Sequence, residues 1–154
     1  MSTDENKELV LRWRDEIWVK RNVNILDELA APDYVGHIAG FPEPVRGREA
    51  FKQVLAAWLA AFEIRVTPEI VIAQGDMVAV RDNSWAKSTG EFQGAPPTGK
   101  EGILTSTDLY RIADGKVTDS GSKLTTPASF CASASNRTRR NAASGEPVSC
   151  GPRS

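Results

Sequence analysis

Apolar residues recur at three- and four-residue spacing in two stretches of the N-terminal half, and then the period changes to two. In the first stretch Leu9, Val10, Trp13 and Ile17 predict a helix running to about Arg21. Ser2 with Glu5 three residues later forms a capping-box pattern at its start. Asn24 can cap a short second helix through Leu29, which Ala31-Pro32 ends. Asp33–Ile38 reads as a brief extended piece, followed by a Gly/Pro loop over 40–44. The second stretch, Arg48–Phe62, carries a continuous stripe of Phe51, Val54, Leu55, Trp58, Leu59 and Phe62, with alanines raising its helical propensity.

From Ile64 onward β-branched residues alternate with polar ones. Ile64–Ala73 is a strand in which Pro68 predicts an edge or a bulge. Gly75-Asp76 is a turn, Met77–Thr89 a long strand, Gly94–Gly99 a rigid loop, and Ile103–Ile112 another strand. Asp114-Gly115 turns the chain into Val117. Helices first and an antiparallel meander after them predict an α+β domain, its helices packed on one face of a curved sheet.

The chain has 154 residues and a net charge of −1, so one domain with a real core is expected, and no global field favours nucleic acid or membrane. The charge is split: residues 120–154 carry five basic residues and one acidic one, leaving the preceding part at −5. That tail has eight Ser, one aromatic residue and no amphipathic period, which reads as an unstructured solvated segment. Both cysteines, Cys131 and Cys150, lie in it, and His37 is the only histidine, so the usual zinc ligand sets are not offered. The polar N-terminus lacks a signal-peptide core, and no apolar run approaches membrane-spanning length. A cytoplasmic protein is expected.

Four segments in register carry a resemblance: Asp33-Tyr34-Val35-Gly36-His37, Gly47-Arg48-Glu49-Ala50-Phe51, Thr89–Lys100 and Asp108–Lys116. Over about residues 5–119 the chain resembles the SnoaL-like polyketide cyclase group of the nuclear-transport-factor-2-like superfamily, which also holds ketosteroid isomerases and limonene-epoxide hydrolases. The resemblance implies an α+β cone with a deep apolar pocket between helices and sheet. It also implies an aspartate acting as general acid/base in an aldol-type ring closure, no metal or organic cofactor, and a homodimer packed through the sheet. The fold alone does not choose among the superfamily's activities.

The position matching that aspartate is Asp108. Alternation puts Leu104, Ser106, Asp108 and Tyr110 on one face of their strand. A carboxylate in an apolar cavity can take a proton from a carbon acid and return it to an oxygen. The pattern also fits a solvent-facing Asp on an edge strand; the resemblance favours the pocket. His37 is the second catalytic candidate, as the one side chain that titrates near neutrality unaided; a half-exposed His ending a strand is its bland alternative. Tyr34, Trp58, Phe62 and Tyr110 are candidate pocket walls, with core packing the simpler reading of Trp58 and Phe62.

On strand 77–89, Arg81 and Trp85 share one face, and Val78, Val80, Asp82 and Ser84 the other; the pattern leaves open which looks inward. An inward Arg81 paired with Asp108 would point to an epoxide-hydrolase-like site in which charged groups hold a water. A non-catalytic small-molecule binding domain is the third reading.

The domain expected from the resemblance is 1–119, with 120–154 an atypical tail whose first part can pair as a last strand. Shifting the codons of Ser120–Ser133 by one base can produce an alternating strand with the Trp the family carries there. The tail therefore reads as a frameshifted end, or else as a native or added tail. The codons of the gene decide the matter.

Overall fold

The computed structural model describes residues 2–39 and 41–125. The capping box forms as its spacing dictates: Ser2 Oγ accepts from the Glu5 backbone N–H at 3.2 Å, and the Glu5 carboxylate accepts from the Ser2 N–H at 2.6 Å. Helix α1 (Thr3–Arg14) presents Val10, Trp13 and Arg14 inward and gives way to a wider π-helical turn, Asp15–Val19. The predicted single helix to Arg21 therefore changes pitch at Arg14, a local geometry frequent at functional positions. A 3₁₀ turn, Val23–Ile25, precedes the one-turn α2 (Leu26–Leu29). Asn24 lies inside that turn and caps nothing.

Strand β1 (Ala30–His37) pairs with the short β2 (Val45–Arg46), and Gly47, at φ 90°, turns the chain into α3 (Arg48–Ala61). The strands β3 (Phe62–Gln74), β4 (Met77–Ser88), β5 (Glu101–Ala113) and β6 (Lys116–Thr125) form the antiparallel meander. The six-stranded sheet has the order β2-β1-β6-β5-β4-β3, with β1 and β6 parallel. Pro68 meets both expectations at once: β3 is an edge strand, and its register with β4 slips between Pro68 and Ile70. Strand β6 lies inside the sheet between β5 and β1. Cys131, Cys150 and the rest of the tail lie outside the described residues.

The core joins the helices to the concave face of the sheet. Val10, Trp13 and Ile17 of the first helical segment pack with Tyr34, Phe51, Val78, Val80 and Tyr110, all buried. The Tyr34 and Phe51 rings lie 4.7 Å apart, and Trp13 stands edge-on to Tyr110. Alternation on β4 and β5 sends Val78, Val80, Asp82 and Ser84, and Leu104, Asp108, Tyr110 and Ile112, to the interior.

The loop after β4 is tied back to α3, where the Gly90 N–H donates to the Ala61 carbonyl at 2.9 Å. A Cβ at Gly90 would stand 2.2 Å from the Ala60 carbonyl oxygen. Because that neighbour is helix backbone, Gly90→Ala is expected to cost about 1–3 kcal/mol. Urea unfolding should show a lower midpoint at unchanged slope. Among the described residues no helix is long and apolar enough to cross a membrane.

Candidate active site

Between α3 and the concave face of the sheet lies a cavity of ≈ 140 Å³. Its helical wall is apolar, built from Phe51, Val54, Leu55 and Trp58, while the sheet contributes Ser84, Ser106, Asp108 and Ser122. Arg14 and Trp18 enter from the first helical segment.

Asp108 is buried on this wall and does not stand alone. Arg14 Nη1 donates to Asp108 Oδ2 at 2.8 Å and to the Tyr110 hydroxyl at 2.6 Å. On its other side Arg14 Nη2 donates to Asp82 Oδ2, which also accepts from Ser106 Oγ at 3.4 Å. One guanidinium thus bridges two carboxylates from neighbouring strands, and all three side chains are almost wholly withdrawn from solvent.

Asp82 is completely sealed, with Oδ1 making no hydrogen bond, whereas Asp108 borders the cavity. Burial works against the charge of Arg14, but Tyr110 and Asp108 beside it more than offset this, so its pKa is raised and it stays a cation. Burial pushes the Tyr110 phenol up to about 12, against the pull of Arg14, so it is a neutral hydroxyl at physiological pH. Tyr110 can accept from Arg14 and orient it but is not a base there.

The arginine beside Asp108 comes from the helix and not from β4. Arg81 lies on the convex face, exposed, 3.6 Å from Glu69. The inward side of β4 is the one carrying Val78, Val80 and Asp82, because those side chains complete the core under α1. Trp85 shares the face of Arg81, half-buried beneath the Arg65 guanidinium at 4.9 Å. Neither borders the cavity.

His37 ends β1 opposite Gly121 and is exposed, outside the cavity lining. Tyr34 is buried in the core, its hydroxyl hydrogen-bonded to Ser120 Oγ; burial pushes that phenol's pKa up. Trp58 lines the cavity, while Phe62 stacks behind it at 5.4 Å in a cluster with Phe92.

Arg14, Asp82, Ser106 and Ser122 were not singled out by sequence reasoning. Arg14 had a signal: it lies four residues after Val10 and three before Ile17, a charge inside the apolar stripe. Among the described residues no three His, Cys, Asp or Glu side chains gather as a metal site.

The sequence profile of the SnoaL-like polyketide cyclase family matches residues 8–122. No curated protein matches the chain. Among solved structures, a protein assigned as a SnoaL-like polyketide cyclase from Jannaschia sp. CCS1 superposes with a TM-score of 0.76 at 25% identity, over 86% of this chain and 91% of that one. IdmH of Streptomyces antibioticus, assigned as a polyketide cyclase, gives 0.65 at 27% identity, over 77% and 91%. An epoxide hydrolase of the LEH-like type from M. tuberculosis shares the fold, with a TM-score of 0.65 at 15% identity, over 80% and 84%.

Proposed function

Because the chain belongs to the SnoaL-like polyketide cyclase family, we propose that it is an enzyme carrying out general acid–base chemistry on a small apolar carbonyl compound, with Asp108 moving the proton. The observation that supports this most is the position of Asp108: among the described residues it is the one carboxylate on the wall of a mainly apolar cavity. Bound against it, a ketone would lose a proton from the carbon next to its carbonyl to the Asp108 carboxylate. The C–H electron pair would move into the carbonyl, leaving an enolate. Negative charge would then grow on the ligand oxygen, where the Arg14 cation and the Ser106 and Ser122 hydroxyls are at hand. Protonated Asp108 would next return the proton to carbon in an isomerisation, or to the new alkoxide after ring closure.

Deuterium uptake tests this. In D₂O the protein should exchange the enolisable protons of 3-methylcyclohex-2-enone faster than buffer does. Exchange at the buffer rate at every concentration of protein would contradict it.

One observation favours a second reading, hydrolysis of an epoxide. Arg14 held between two carboxylates can fix a water on Asp108, which takes the water's proton as the water oxygen attacks a ring carbon and the C–O bond breaks, and then returns that proton to the released ring oxygen. Here cyclohexene oxide in ¹⁸O-water would give a labelled diol, and ketone exchange would stay at background.

We further propose a homodimer through the convex face of the sheet. Ile70, Ile72, Ile103 and Leu109 are 48%, 59%, 50% and 47% exposed on that face, a clustering that marks interaction surfaces. Sedimentation should show a dimer in the wild type and a monomer in Ile72→Glu/Leu109→Glu. A monomeric wild type would refute the dimer and leave the site untouched.

A further inference from the structure

The size, charge and two-sidedness of the cavity narrow the ligand beyond the reaction type. We infer that it is a neutral molecule of which a single ring is enclosed, with its oxygen-bearing edge against the sheet and its apolar edge against α3. This rests on the acid–base reading of the same site.

Size comes first. An apolar cavity of about 150 Å³ holds one benzene ring, and this one measures ≈ 140 Å³. A fused polycycle would project out of that space. Among the described lining residues Ser122 alone is exposed, so a substituent on the ring would leave past it.

Charge comes second. Among the described residues Arg14 is the only cation on the wall, and although its Nε has no hydrogen-bond partner, its single positive charge is already outnumbered by the two carboxylates it bridges, Asp82 and Asp108. No uncompensated positive charge is left among the described lining residues to receive a ligand carboxylate, and Asp108 would repel one at close range.

Orientation comes third. Ser122 is the direct cross-strand partner of Asp108, and Ser106 precedes Asp108 by two residues on the same face. Cross-strand side chains stand about 5 Å apart, so these groups form one polar patch under the ligand. Facing it, Phe51, Val54 and Leu55 offer ring and aliphatic surface, and Trp58 an indole whose Nε1–H is buried without a hydrogen-bond partner. A ligand oxygen that met the patch would lie beside the carboxylate, placing an adjacent carbon within its reach.

Three probes separate the parts of this inference: 3-methylcyclohex-2-enone, which is neutral with one ring; benzoate, of like size but anionic; and anthrone, neutral with three fused rings. Binding is read from the indole N–H signals of the four tryptophans in ¹⁵N–¹H spectra, with Trp58 identified by Trp58→Phe. The ketone should shift the Trp58 signal saturably. Benzoate and anthrone should each bind at least about tenfold more weakly. In Asp108→Asn benzoate should gain affinity, because the repelling charge is gone and Arg14 is balanced by Asp82 alone.

Anthrone or benzoate binding as tightly as the ketone, or no binding by the ketone, would overturn the inference. Ketone binding without deuterium exchange would instead overturn the acid–base reading while leaving the size and charge of the ligand standing.

Discussion

Replacing Arg14 by Met is expected to be the most damaging single substitution in the domain, costing about 3–5 kcal/mol, the usual price of stripping a buried ion pair of one partner. Asp82 is fully buried, and its Oδ2 relies on Arg14 and on a longer contact from Ser106. Without the cation, two carboxylates on adjacent strands would face each other in an apolar interior.

The loss should depend on pH in a definite direction. In the variant, an uncompensated buried carboxyl favours its neutral form, so its folded-state pKa rises above the unfolded value of about 3.9. The destabilisation is then smallest at acid pH and grows as pH rises through the raised value. Urea midpoints of the variant and the wild type should therefore converge towards pH 4 and separate towards pH 8. A second substitution provides the control: Arg14→Met/Asp82→Leu should be more stable than Arg14→Met alone, because it removes the stranded charge. If the single and double variants were equally stable, Arg14 would not be acting through Asp82.

Asp108→Asn is expected to behave in the opposite way, keeping the fold and losing the chemistry. Asparagine has nearly the same shape, and its amide oxygen can still accept from Arg14 Nη1. Removing a general base typically costs about 10²–10⁴ in rate. The variant should therefore bind 3-methylcyclohex-2-enone with an affinity close to that of the wild type and turn it over at least about a hundredfold more slowly. Asp82→Asn, whose side chain does not reach the cavity, should weaken stability first and change the rate only through the placement of Arg14.

The sequence carried the architecture because burial and period go together in long elements. The stripe from Phe51 to Leu59 could only be a buried helix face, and Pro68 could only sit where a strand is unpaired or slips. Asp108 was legible because alternation ties it to Leu104 and Tyr110.

Its partner was harder to see. Periodicity assigns charged residues to the outer face of a helix, and Arg14 violates that rule in the middle of an otherwise clean stripe. Only the presence of two inward carboxylates makes the violation sensible, and those lie 68 and 94 residues away in the chain. On β4 the choice of face stayed open because the convex side also carries apolar residues, Met77, Ala79 and Trp85. The inward serines of β6 gave no apolar signal at all: Ser120 is buried beside the Tyr34 hydroxyl that it bonds, and Ser122 stays exposed at the cavity's edge.

The central claim is that Asp108 is the group that moves a proton in this cavity, and it has a direct measurement. Deuterium uptake by 3-methylcyclohex-2-enone in D₂O is to be followed by proton NMR with wild type and Asp108→Asn side by side, at ketone concentrations that saturate the Trp58 indole shift of both. Exchange above buffer with the wild type, and at the buffer rate with the equally loaded variant, is the predicted result. Equal exchange by the two proteins would contradict the account.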